Sequence, residues 1–172
     1  MVIIKKWIPQ GAVNYLRHLP NSILASIYYR FPSRKLKIIG VTGTDGKTTT
    51  VNLIYKILHD AGFKTAMIST VSARIGNEEI DTGFHVTSPD PWLLQKLLGK
   101  MAKKEIEYLV LEVTSHGLDQ FRVWGISYEV GVITNVTREH LDYHKTYKSY
   151  LLAKSKLFDS SKVAVLNKDD DS

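Results

Sequence analysis

The sequence predicts an α/β fold, a mostly parallel sheet flanked by helices on both faces. Three observations predict it. An apolar run, Ile38-Ile39-Gly40-Val41-Thr42, leads into Gly43-Thr44-Asp45-Gly46-Lys47-Thr48-Thr49-Thr50 and then into a helical pattern. Further short apolar runs alternate with helical patterns along the rest of the chain. Polar clusters follow the runs rather than precede them, as expected where ligands gather at the carboxyl ends of parallel strands.

The elements follow in order. Residues 1–36 read as a basic helical N-terminal arm and residues 37–172 as the α/β domain. Lys5, Lys6, Arg17, Arg30, Arg34 and Lys35 lie in the arm, with none of the 17 acidic residues; the other basic residues match the acidic ones in number. The net charge of +6 therefore belongs to the arm. The arm also holds Trp7, Tyr15, Tyr28, Tyr29 and Phe31, and basic plus aromatic is the composition of a membrane-surface or nucleic-acid contact. The plainer and favoured reading is a helical extension packed on its own domain or on one outside this sequence. No nucleic-acid partner is expected, and only a weak membrane-surface contact. Pro9 and Pro20 are expected to interrupt any long amphipathic helix.

Residues 37–42 read as a buried strand, and residues 47–61 as a helix with Val51, Ile54, Ile57, Leu58 and Ala61 on one face. Gly62 is its stop. Residues 64–70 form a second strand. Residues 72–86 are polar, with Gly76-Asn77 turning a hairpin. Ser88, Asp90 and Pro91 open a helix over residues 91–104. Residues 108–113, 130–135 and 163–166 are the third, fourth and fifth strands, and a helix at 146–159 joins the last two. The chain has no cysteine, which excludes disulfides and thiolate metal sites. No segment reaches the roughly 20 apolar residues of a membrane span, and the start lacks a signal-peptide layout. A cytoplasmic location and a monomer are expected.

The loop matches the phosphate-binding pattern G-x-x-x-x-G-K-[ST] only in its last positions. Val41 stands where the first glycine is usual, so the motif is a shortened G-x-x-G-K-T. Glycines let the backbone approach phosphate oxygens, and the following helix points unpaired N–H groups at the anion. Lys47 would neutralise the outer phosphates and Thr48 would place its hydroxyl on magnesium. The plain alternative is a glycine turn between strand and helix.

Glu112 lies in the apolar run Leu109-Val110-Leu111-Glu112-Val113. A lone carboxylate there is costly unless paired or metal-bound, and magnesium beside a phosphate loop is its natural partner; an outward-facing glutamate is the alternative. His140 sits in a polar turn with Asp142 and His144, as a metal ligand, a phosphate contact or a helix cap. Lys154, by pattern alone, is an ordinary solvated lysine.

The segments GTDGKTTT, HVTSPDP, LEVTSHGLDQFRV, TNVTREHLDYH and YLLAKSKLF occur in one order and spacing. Together they resemble the P-loop NTPase-like central ATPase domain of the Mur ligases over roughly residues 36–168, most of all the branch that adds the third residue of the peptidoglycan stem. The shortened loop is that family's own form. The resemblance implies an ATP-dependent ligase that phosphorylates the carboxylate of a UDP-MurNAc-dipeptide, after which an amino acid's amine attacks the acyl phosphate. It implies two Mg2+ ions, which spread the charge on the transferred phosphoryl group. Gly43, Thr44, Asp45, Gly46, Lys47, Thr48, Thr49 and Asn135 would bind the nucleotide. Thr48 and Glu112 would hold the first magnesium, and His140 the second together with a carbamylated Lys154. Thr87, Ser88, Thr114, Gln120 and Arg122 would bind the muramoyl-peptide.

Asp45 stands where asparagine is common, Thr114 replaces a serine and Ser88 a threonine. The family's uridine-binding N-terminal domain is expected to be absent or reduced to the arm, and its amino-acid-binding C-terminal domain to lie outside the sequence. The chain alone is thus expected to have little ligase activity, and the amino acid added is not legible in it. Competing readings are a ligase like folylpolyglutamate synthase or cyanophycin synthetase, and a non-catalytic nucleotide-binding module.

Overall fold

Central strands with apolar residues on both sides suit only a sheet covered on both faces. The computed structural model of the protein describes residues 9–76, 78–81 and 88–170. Among these residues the strands are β1 (Lys37–Thr42), β2 (Thr65–Ile68), β3 (Ser72–Ile75), β4 (Glu78–Asp81), β5 (Tyr108–Glu112), β6 (Tyr128–Ile133) and β7 (Ser161–Val165). They form one sheet in the order β4-β3-β2-β5-β1-β6-β7. β2, β5, β1, β6 and β7 run parallel, while β3 and β4 make the antiparallel hairpin expected around Gly76.

Helices connect and cover the strands: α1 (Gln10–Val13), α2 (Leu19–Tyr28), α3 (Lys47–Asp60), α4 (Pro91–Lys103), α5 (Ser115–Asp119), α6 (Leu141–His144) and α7 (Tyr147–Ser155). Alternation along each strand divides the core. Ile38, Leu109 and Leu111 pack with Leu94, Leu98 and Met101 of α4 on one face. Val41, Met67 and Val110 pack with Val51 and Tyr55 of α3 on the other. Pro91 opens α4, and the Asp90 carboxylate accepts hydrogen bonds from the Trp92 and Leu93 amides.

Two expectations need correction. Helix α3 turns a narrower stripe inward, because Ile57 and Ala61 are exposed whereas Tyr55 is buried. Ile57 follows Val51 by six residues, which at about 100° per residue carries it off the inner face. Pro20 also fails to interrupt the arm helix. The chain stays helical from Gln10 to Tyr28, with a π-helical stretch at Asn14–His18 just before the proline. A wider turn relieves the clash that a proline ring makes with the preceding carbonyls.

The described part of the arm lies on the α/β unit. The Asn14 amide donates to Asp119 (2.8 Å), Trp92 Nε1 donates to Asn21 (2.9 Å) and Gln95 donates to the Ser26 hydroxyl (3.2 Å). None of the helices among the described residues is long and apolar enough to cross a membrane.

Candidate active site

The loop between β1 and α3 is held from beneath by the end of β6. The Thr44 amide donates to the Asn135 carbonyl (2.8 Å), the Asp45 amide to the Asn135 side-chain oxygen (2.9 Å) and the Thr134 hydroxyl to the Asp45 carbonyl (2.6 Å). Asp45 itself is exposed. Gly43 is obligatory here, since a Cβ would stand 1.9 Å from the Thr134 hydroxyl and φ is +149°. Gly46, at φ +76°, turns the chain into α3. The first turn of α3 begins with Lys47, whose ammonium folds back to the Thr44 carbonyl (2.6 Å). Thr49 is exposed beside it.

Glu112 ends β5 next to this turn and is buried. Its carboxylate accepts from the Thr48 hydroxyl (2.9 Å) and from the Thr70 amide (3.2 Å) and hydroxyl (3.4 Å). Among the described residues no cationic side chain pairs with it. A buried carboxylate with only neutral donors, touching the loop threonine, fits a magnesium ion that also takes phosphate oxygens.

Lys154 is not a solvated lysine. It is buried on α7, donates to the Gly43 carbonyl and lies over the Tyr150 ring (4.4 Å). Burial, then the charge of Lys47, bring its amine down to about 7, against smaller opposing effects of Glu139 and Asp45. The Tyr150 hydroxyl meets the Thr44 hydroxyl at 3.1 Å, and the His140 and His144 rings stand 6.1 and 5.2 Å from its ring. His140 opens α6 at φ 54° without capping it by its side chain, and its imidazole lies 3.7 Å from Glu139.

Ser88, Thr114, Gln120 and Arg122, expected to bind the muramoyl-peptide, form a second, contiguous network. The Ser88 and Thr114 hydroxyls meet at 3.0 Å, and Thr114 caps α5 by accepting from the Gly117 amide (3.1 Å). Arg122 donates to the Gln120 side-chain oxygen (2.7 and 3.0 Å) and to the Ser88 carbonyl (2.7 Å). Thr87 lies outside the described residues.

Sequence reasoning missed the ring stack that joins the two networks. His116 stands 4.3 Å from Tyr143 and 5.0 Å from His140 between ring centroids. Burial, then the charge of His116, hold His144 down at about 4, and its Nε2 lies 3.1 Å from the Ser115 hydroxyl. Burial pushes Asp119 up, but Lys156 (2.8 Å) and the Tyr143 hydroxyl (3.0 Å) outweigh it, so its carboxyl sits below the usual range. One signal was available: Tyr150 precedes Lys154 by four residues on a helix, which puts both on one face.

Strand, shortened glycine loop, lysine and threonine at a helix head, and a buried carboxylate on the adjacent strand define a phosphate-loop α/β domain. More narrowly, the chain belongs to the Mur ligase family, whose middle domain matches residues 41–172. It is 46% identical over 149 residues to the UDP-N-acetylmuramoyl-L-alanyl-D-glutamate--2,6-diaminopimelate ligase of Clostridium perfringens, covering 87% of this chain and 30% of that protein. The ligase of the same name from Parabacteroides distasonis is 45% identical over 153 residues, covering 87% and 31%. The chain thus spans roughly three tenths of the length of these curated relatives. A solved diaminopimelate ligase superposes with a TM-score of 0.76 at 32% identity, covering 96% of this chain and 33% of the other. A folylpolyglutamate synthase complex shares the fold, with a TM-score of 0.68 at 18% identity, covering 82% of this chain and 41% of that one.

Proposed function

We propose that this chain is the ATP-handling part of a ligase that joins an amino acid to UDP-MurNAc-dipeptide through an acyl phosphate. The observation behind this reading is the Thr48–Glu112 contact at the head of α3, under a glycine loop that carries Lys47. Magnesium, when bound, supplies charge neutralisation for the phosphates. Thr48 and Glu112 would hold it. Lys47 swings from the Thr44 carbonyl to the outer phosphates, and the Gly43–Thr49 backbone cradles them. Thr134 and Asn135 fix the loop so that its amides need no rearrangement. The relatives' names support UDP-MurNAc-L-alanyl-D-glutamate and 2,6-diaminopimelate as the substrates. Ser88, Thr114, Gln120 and Arg122 line the muramoyl side.

Lys154 as an ammonium would repel a second cation near Lys47 and His140. Its low proton affinity supports a different state. The neutral amine adds to carbon dioxide and releases one proton, giving a carbamate that suits a second magnesium beside His140. Residues 37–172 then act as the central domain, residues 1–36 as its arm, and the chain as a cytoplasmic monomer.

Calorimetric titration with magnesium and a non-hydrolysable ATP analogue tests this reading. Binding that disappears on chelation, and that Lys47→Ala weakens by about a hundredfold, is the expected result. Equal affinity with and without magnesium, and no effect of Lys47→Ala, would overturn it.

A further inference from the structure

The arm helix is inside out. Asn14, Ser22, Ala25 and Ser26 face the α/β unit and are at most 3% exposed. Leu16, Leu24, Ile27 and Tyr28 face outward and are at least 55% exposed. Both sets share one spacing, displaced by two residues, roughly 200° around the helix at about 100° per residue. A helix that merely covered its own domain would turn Leu16, Leu24 and Ile27 inward. Here the small polar face docks and the large apolar face is presented.

Charge completes the pattern. Arg17 lines one groove with Leu16 and Leu24, Arg30 and Lys35 line another with Tyr28, and the arm has no acidic residue. The stripe runs on from Tyr28 into a groove of about 970 Å³ between the arm and α4, floored by Leu93 and Leu97 and edged by Lys35, Lys96 and Lys103. Among the described residues, none of these arginines and lysines pairs with a carboxylate. Lys100 and Lys104 are different, since both pair with Glu78.

We propose that this face docks on an anionic lipid bilayer. Leu16, Leu24, Ile27 and Tyr28 would enter the acyl–headgroup boundary, and the free cations would meet lipid phosphates. Apolar side chains bordered mainly by cations that have no carboxylate partner among the described residues, with Asp90 at one edge and an aromatic at the rim, are the chemistry of such a surface rather than of a protein interface, whose core is depleted of charge. The proposal is independent of the nucleotide site.

Co-sedimentation of the full chain with vesicles tests it. We expect pelleting with phosphatidylglycerol-containing vesicles, little with pure phosphatidylcholine, and release by salt. Leu24→Gln with Ile27→Gln, and separately Arg30→Gln with Lys35→Gln, should each weaken vesicle binding about tenfold while melting is unchanged. No pelleting with anionic vesicles overturns the proposal, as does pelleting that neither pair of substitutions alters. A dimer in sedimentation equilibrium that Leu24→Gln with Ile27→Gln dissociates would assign the face to a second copy instead. Loss of vesicle binding in the longest reading frame that contains this sequence would show another part of the protein covering the face, and would equally overturn it.

Discussion

At the rim of the sheet, Thr44, Glu112, Thr114 and Lys154 are buried and hydrogen-bonded to loops or strand ends. On the underside of the arm, Asn14, Ser22 and Ser26 are equally buried and equally bonded. Burial of polar groups alone therefore does not separate a site from a packing surface. Charge does. Among the described residues, the rim keeps a carboxylate without a paired cation and an amine without a paired anion, both beside the glycine loop. Among the described residues the arm buries neutral groups, and the charge that Asn14 touches, Asp119, is already matched by Lys156. A buried carboxylate without a cation implies a missing partner, because protein interiors tolerate an uncompensated charge poorly, and an amine that has shed its proton is poised for chemistry rather than for pairing.

Several substitutions would break or sharpen that contrast. The largest effect belongs to Gly43→Ala, which forces Thr134 aside and strains the backbone. A loss of about 3 kcal/mol in denaturant unfolding is expected, together with loss of nucleotide binding. Lys154→Met comes next, read as a pH profile in carbon-dioxide-free buffer. The folded amine deprotonates near 7, well below its ordinary value of 10.5. Between these values the unfolded chain binds the extra proton, so stability rises with pH through that window. Lys154→Met should flatten the rise between about pH 7 and 9.5; an unchanged slope would show the amine is charged in the folded protein.

Asn14→Ala should cost about 1–2 kcal/mol, since Asp119 loses a donor in a buried setting. The smallest effect is expected outside. Leu24→Gln with Ile27→Gln should leave stability within about 0.5 kcal/mol, although both remove large apolar side chains. A cost like that of a core leucine would mean the outer stripe helps to hold the fold.

Much of the fold was legible because its strands are short apolar runs and its long helices have a clear period. Lys37–Thr42, Lys47–Asp60 and Pro91–Lys103 fall within a residue or so of expectation. The short helices Ser115–Asp119 and Leu141–His144 were not, since a turn or so of helix leaves no periodic trace. The arm's continuity through Pro20 was hidden for a different reason: a π-helical stretch has no residue signature. Around the site, the phosphate loop and Glu112 stood out because glycine spacing and a carboxylate in an apolar strand are local signals. The burial of Lys154 and the His116, Tyr143 and His144 stack arise only when α5, α6 and α7 meet, and nothing local encodes that meeting.

Tyr150 touches several parts of this site at once. Its hydroxyl reaches the loop, its face takes the Lys154 amine, and two imidazoles stand near its ring. These parts therefore share a single hinge pin. A small slide of α7 would retune the cradle, the lysine's proton and the histidines in one stroke.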